Sequence, residues 1–489
     1  MIETSFLLAV KALLLTVLIP LISGGLLLLI IYPRLFKGWK FYILSWFLGI
    51  GVTSNWLVNI QFVHFGIGVW EFLALILLLI IILIIKVQKF GLTMETIKDT
   101  LRIPRMDGIT ESYKNLSTFE KVLTISGIIF VLWFFINSFV HTMSFPSYAD
   151  DTFGNRSKAA INIFYDGGVK MFGNTGEILW RGNLAYPIHI ASLKALIASM
   201  MGGRHDVYLK LFQRIGLFLL LILSFITTFE KSKHLLTSII PSVLIAGLPL
   251  VFWHSIDGYH ELLTTYYTIL ALRLGYEFVG SKNNGHLVIM TLMLWIACYM
   301  KNDGFVIYAP AVLAGFGLVL LLQGNLVNTL QGLRNDKKAL GLTAWGILLF
   351  LIPYTALKLY HGLGFNPTDS APAEGAVSTT HWEIFTQFKP MFITENNYSI
   401  GLVFLVLIGF WIYGYYQKRD EKTESAVPSS LMFIITPILM FILFTAVFLF
   451  TENYQWVMSQ TTSNRVYTMC FIVLFYFIWM IINELKRKK

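Results

Sequence analysis

The chain has 489 residues, of which 56% are hydrophobic and only 13% charged, with a formal net charge of +10. A soluble domain carries roughly 25% charged residues, so a soluble enzyme, a DNA-binding protein and a disordered scaffold are excluded, and the composition predicts an all-α polytopic membrane protein. The positive balance is then no sign of nucleic acid, because in such a chain Lys and Arg first report orientation.

A helix needs about 20 apolar residues to cross the hydrocarbon core. In chain order that rule predicts about thirteen spans, near 6–31, 41–63, 68–85, 122–141, 208–229, 235–253, 262–280, 286–300, 304–322, 340–357, 399–416, 430–450 and 465–483. The first run is too long for a signal-peptide core, lacks a small-residue cleavage site and is followed by Tyr32-Pro33-Arg34, so it is expected to be a retained span. Cys298 and Cys470 lie in apolar stretches and suggest neither a disulfide framework nor a zinc site.

With thirteen spans, one set of alternate loops holds Arg34/Lys37/Lys40, Lys86 to Lys121, Lys231/Lys233, Lys282, Arg334/Lys337/Lys338, Lys418/Arg419/Lys422 and Lys486-Arg487-Lys488-Lys489, which is most of the 37 basic residues. The positive-inside rule makes that side cytoplasmic. The N-terminus is then outside and the C-terminus inside, with the plasma membrane the expected location.

The other side has two long segments, roughly 142–207 and 358–398. Both are too polar to span and too rich in aromatic and apolar residues to be free linkers. Leu184 to Met201, interrupted by His189 and Lys194, suits an interfacial helix on the outer membrane surface. The second segment runs from Gly362-Leu363-Gly364 through a polar stretch to His381-Trp382-Glu383-Ile384-Phe385, which predicts a mobile loop ending in another interfacial helix.

Ionisable groups near membrane depth need a reason, and the outer side offers four places to look. Asp150 and Asp151 follow the fourth span; one carboxylate could serve as a general base, both could hold a divalent cation, or either could cap a helix. Asp257-Gly258-Tyr259-His260-Glu261 forms a short turn in which Glu261 opens the next helix, where a carboxylate also suits the helix dipole. Lys301-Asn302-Asp303-Gly304 reads as a turn, but a turn does not require Lys301, whose charge stands on the wrong side for topology. Arg465 sits at the mouth of the last span, either as an interface anchor or, with Lys210, Arg214, Arg156 and Lys158, as part of an anion site. The composition suits a site that holds a lipid phosphate and a hydroxyl acceptor together.

In this order, the segments resemble integral-membrane glycosyltransferases of the GT-C type, the group that includes protein O-mannosyltransferases and lipid A aminoarabinose transferases. The resemblance covers about 122 to 398. It rests on the Asp150-Asp151 pair after a span, on Tyr186-Pro187-Ile188, similar to the family's Tyr-Pro-Leu, on Gly258-Tyr259-His260-Glu261-Leu262, similar to Gly-Tyr-Ala-Asp-Leu, and on Lys301-Asn302-Asp303-Gly304, similar to Lys-Asn-Glu-Gly. It divides the chain into three extra N-terminal spans with a basic loop (1–121), a GT-C-like catalytic membrane module with interfacial helices in its two outer loops (122–398), and a three-span region with a basic tail (399–489).

What the resemblance implies is transfer of a sugar from a polyprenyl-phosphate-linked donor to a lipid, glycan or protein acceptor at the non-cytoplasmic face, with membrane lipids as further partners and no nucleic acid. Asp150 is then the catalytic base and Asp151 its support. Glu261, Lys301, Asp303, Tyr186, Arg465, Lys210 and Arg214 are the expected substrate-binding residues. Charge stabilisation of the leaving phosphate is expected from Lys301, Arg465, Lys210 and Arg214, in that order. No cofactor is required beyond a divalent metal ion, which, if present, Asp150 and Asp151 would hold. The rival class is a transporter or lipid flippase, which concentrates ionisable residues near the bilayer midplane. Here only scattered charges such as Lys11 and Arg273 fall within spans. A polysaccharide polymerase or ligase is a closer rival, expected to lean on outer-loop Arg and His.

Overall fold

The computed structural model describes residues 2–61, 66–103, 108–145, 158–169, 186–203, 208–360, 380–387, 409, 427–451, 454–458 and 463–486. The regular structure among these residues is helical, with no strand among them. Contacts divide the chain into two units, Met1–Tyr266 with Gly346–Leu363, and Tyr267–Trp345 with Gly364–Lys489.

The first unit contains α1 (Ile2–Ile31), α2 (Trp39–Ile60), α3 (Val69–Lys89), α4 (Met94–Leu101), α5 (Ile109–Asn115), α6 (Thr118–Ser144), α7 (Lys158–Asp166), α8 (His189–Met201), α9 (Leu211–Ser232), α10 (Leu235–Ala246), α11 (Pro249–Asp257) and the start of α12 (His260–Ser281). The second continues through α13 (Asn284–Cys298), a π-helical turn at Gly304–Tyr308, α14 (Ala309–Leu322), α15 (Leu326–Asn335) and most of α16 (Lys337–Gly346). A π-helical turn at Ile347–Leu351 and α17 (Ile352–Tyr360) return to the first unit, and α18 (Met432–Phe450), α19 (Tyr454–Met458) and α20 (Ser463–Lys486) complete the second.

Nine helical stretches among the described residues are long and apolar enough to cross a membrane: Phe6–Ile31, Trp39–Ile60, Val69–Lys89, Thr118–Ser144, Leu211–Ser232, Gly304–Leu322, Lys337–Ala356, Ser429–Phe450 and Arg465–Ile482. The expected span at 235–253 is a pair of helices, α10 and α11, that together are long and apolar enough to cross but are bent by 68° at the break; Pro249 begins the second, having no N–H to continue the first. The expected span at 262–280 is α12, where Thr264, Thr265, Thr268, Arg273 and Glu277 lower the hydropathy. The one at 286–300 is α13, whose 15 residues fall short of a full crossing. The one at 399–416 lies outside the described residues apart from 409.

The N-terminal pair α1 and α2 shows how small residues hold membrane helices together. Gly24 stands against the Ser45 carbonyl and Gly49 against the Pro20 carbonyl, so a Cβ on either would collide with backbone. Ser23 and Thr53 hydroxyls meet at 2.8 Å between the helices. Pro20 lies inside α1 and cannot donate to the carbonyl four residues back, which belongs to Thr16. The Trp46 indole N–H donates to that carbonyl at 3.1 Å, replacing the lost bond from the neighbouring helix.

The first expected interfacial segment forms α8, but it is buried along its length, including His189 and Lys194. It packs against α1, α2, α3 and α7, so no face remains to lie along a membrane surface. In the second unit, Trp382–Gln387 forms a short 3-10 turn. It is held where the His381 ring stacks on Tyr454 at 3.7 Å and the His381 N–H donates to the Leu449 carbonyl. Trp382 and Phe385 on that turn are exposed.

Candidate functional site

Two of the expected site residues come together at the start of α9. Lys210 closes a short 3-10 turn and precedes the helix, while Arg214 lies in its first turn. Residues four apart share a helix face, so two like charges stand side by side. Both side chains are almost completely buried, at 1% and 2% exposed. Lys210 Nζ and the Nε, Nη1 and Nη2 of Arg214 have no hydrogen-bond partner among the described residues. The guanidinium lies over the face of Phe134 on α6, 5.8 Å from Cζ to the ring centroid.

The turn between α11 and α12 supplies the opposite charge. Gly258 has φ 84°, a left-handed conformation that ends α11 directly after Asp257 and that glycine adopts at little cost. The Gln213 side-chain amide, between the two cations in sequence, donates to the Gly258 carbonyl at 2.7 Å. The Tyr266 hydroxyl on α12 donates to the Gln213 carbonyl at 3.1 Å. These bonds fix the turn against α9 and bring the buried Asp257 carboxylate within electrostatic reach of Lys210. Burial pushes the Lys210 ammonium down to about 8; Asp257 opposes that shift and Arg214 adds to it. His141, in the last turn of α6, feels Lys210, Arg214 and Asp257 together, and its ring lies among Phe145, Phe252 and Trp253.

The remaining expected residues are placed as follows. Asp150 and Asp151 lie outside the described residues, as does Arg156. Glu261 is fully buried in the first turn of α12, and its carbonyl accepts from the Thr265 hydroxyl at 2.8 Å. Tyr186 is buried just before α8. In the second unit, Lys301 Nζ donates to Asp303 Oδ2 at 2.7 Å, with both side chains buried, so the cation judged surplus to a turn is matched within that turn. Arg465 is half-buried in the first turn of α20.

Asp257 was singled out only as part of the Asp257–Glu261 turn, with Glu261 the expected binding residue, and His141 was not singled out at all. His141 was legible in principle: a histidine near the end of an apolar span is a functional candidate by default. Among the described residues no group of three or more His, Cys, Asp or Glu is placed to hold a metal ion. What the first-unit cluster can do chemically is bind an anion. Two desolvated cations without hydrogen-bond partners are costly, at several kcal/mol each, and a phosphate would satisfy both. No protein-family model, curated protein or solved structure matches the chain.

Proposed function

We propose that the chain is a membrane glycosyltransferase of the GT-C type that moves a sugar from a polyprenyl-phosphate-linked donor to an acceptor hydroxyl at the non-cytoplasmic face. The single observation that carries this is the buried Lys210–Arg214 pair, whose hydrogen-bonding capacity is unfilled among the described residues. A phosphate is the leaving group of such a transfer, and it needs charge stabilisation more than protonation. This reverses the order expected from sequence, since Lys301 already has Asp303 as its partner.

In the reaction Asp150 takes the proton of the acceptor hydroxyl as that oxygen attacks the anomeric carbon. General-base assistance of this kind contributes about 10²–10⁴ in rate. The bond from the anomeric carbon to the phosphate oxygen breaks, and the electron pair stays on the phosphate. Lys210 and Arg214 face the charge that develops there. A single displacement inverts the anomeric centre, giving a glycosylated acceptor and polyprenyl phosphate. The reading keeps thirteen crossings in the plasma membrane, counting the bent α10–α11 pair as one and the shorter α13 as another, with the N-terminus outside and the basic C-terminus in the cytoplasm.

A second reading, a transporter, is favoured by two observations. The α10–α11 pair is a broken helix, a recurrent transporter feature. In the second unit Arg273 and Glu277 are ion-paired at 3.0 Å, with His286 3.4 Å from the same carboxylate. One experiment separates the two. Purified full-length protein in proteoliposomes, given polyprenyl-phosphate sugars and lipid, glycan or peptide acceptors, is expected to transfer sugar. Asp150→Asn and Arg214→Met are each expected to abolish transfer while the protein stays folded. Full activity in Asp150→Asn overturns the assigned base. Movement of the lipid-linked sugar across the bilayer without transfer overturns the reaction and favours the transporter.

A further inference from the structure

A second group of buried polar side chains lies on different helices from Lys210 and Arg214. Tyr354 and Lys358 are four residues apart on α17 and share a face, with Lys358 Nζ 5.4 Å from the centre of the Tyr354 ring. His189, the first residue of α8, meets that ring edge-on at 5.0 Å between centroids. All three are buried, Lys358 completely. The Tyr354 hydroxyl has no hydrogen-bond partner among the described residues, although its residue is 6% exposed. A buried hydroxyl left so carries a desolvation penalty that a bound group would remove.

The cluster is held from outside itself. One turn before Tyr354 the chain makes the π-helical turn Ile347–Leu351, a form that recurs at functional sites. The side-chain amides of Asn55 and Asn59 on α2 both donate to the Leu349 carbonyl, at 2.9 and 3.0 Å. The same α2 packs against α8. One of the three extra N-terminal helices therefore fixes both elements that carry the cluster.

The chemistry converges on one ligand class. The thirteen-residue α8 presents the positive end of its dipole at His189, and its N-cap residue, Ile188, makes no side-chain capping bond. Lys358 adds a desolvated ammonium, pushed down to about 7 by burial, and Tyr354 a hydroxyl donor. A helix start, a cation and a hydroxyl together suit an oxyanion.

We propose that His189, Tyr354 and Lys358 form a second phosphate-binding site, separate from Lys210 and Arg214. The chain then holds two phosphates, and the second comes from a lipid headgroup or from the free ion. This site does not depend on the glycosyltransferase reading.

Full-length protein in neutral detergent is tested for binding of radiolabelled inorganic phosphate and, separately, radiolabelled farnesyl phosphate. One bound equivalent is expected to weaken by ~10-fold or more in Tyr354→Phe, because hydrogen bonds to charged groups are the strong ones, and to disappear in Lys358→Gln. That equivalent persists in Arg214→Met, whether or not the Lys210–Arg214 cluster binds an equivalent of its own. Binding of farnesyl phosphate alone identifies a lipid source; binding of inorganic phosphate as well shows that the free ion suffices. Tyr354→Phe removes one oxygen and keeps the ring against His189, so the test survives even where Lys358→Gln misfolds. Unchanged binding of both probes in folded Tyr354→Phe, or no equivalent sensitive to either substitution, overturns the proposal.

Discussion

Replacing Arg214 with methionine separates a binding arginine from a structural one. The guanidinium is 2% exposed, none of its three nitrogens has a hydrogen-bond partner among the described residues, and Lys210 stands beside it. Exchanging a buried ionic group for an apolar one of similar volume is commonly stabilising, by about 1–4 kcal/mol. Loss of the contact with Phe134 takes back about 1 kcal/mol. The ligand-free variant should therefore be more stable than the wild type by up to about 3 kcal/mol, a rise of about 2 °C in Tm per kcal/mol for a unit of this size. With a polyprenyl phosphate at a hundredfold excess over the Kd of this cluster, the wild type should gain ~2.7 kcal/mol more than the variant, whose remaining response comes from the site at Tyr354 and Lys358. The assay is thermal unfolding in detergent, with and without the lipid phosphate, at matched protein concentration. A variant that loses several kcal/mol without ligand, and still responds to the lipid phosphate as the wild type does, refutes the anion site.

Three other perturbations test the same structure. The Lys210 ammonium titrates near 8 in the fold against 10.5 for a free lysine. Between those values the unfolded chain holds a proton that the folded chain lacks, so ligand-free stability rises with pH across that window; Lys210→Met should remove this rise from a Tm–pH profile. Lys301→Met leaves the buried Asp303 carboxylate without its ammonium and should cost about 3–5 kcal/mol, most of it recovered in Lys301→Met/Asp303→Asn, both read by thermal unfolding. Gly49→Ala drives a methyl group into the Pro20 carbonyl and should destabilise the α1–α2 pair by at least about 1–3 kcal/mol, whereas Gly280→Ala, with open space around it, should be tolerated in the same assay.

Long apolar runs were readable as helices because each satisfies its own backbone, so their existence depends on local sequence alone. That holds for 6–31, 304–322 and 430–450, each recovered as an apolar helix long enough to span. It fails where tertiary burial replaces lipid: α12 tolerates Arg273 and Glu277 because Arg273 is buried and the two are paired. The segment before Met201 has an apolar pattern with two polar interruptions, which fits an interfacial helix equally well. Only its packing against α1, α2, α3 and α7 encloses it. The site divides in the same way. Lys301 looked surplus because sequence spacing does not reveal that its side chain turns back on Asp303, two residues on. Lys210 and Arg214 ranked lower for the same reason: being unpartnered is a property of the surroundings, not of the residues. The two groups that complete their cluster, His141 and Asp257, are far apart in sequence and meet only through the packing of α6 and α11.

The most direct measurement is product analysis after one turnover. Purified wild-type protein is mixed with a polyprenyl-phosphate-linked sugar and acceptor, and both products are identified. The account predicts free polyprenyl phosphate released in step with a glycosylated acceptor of inverted anomeric configuration, and neither product from Arg214→Met. Intact lipid-linked sugar in the presence of every acceptor class, or transfer at full rate by Arg214→Met, would contradict it.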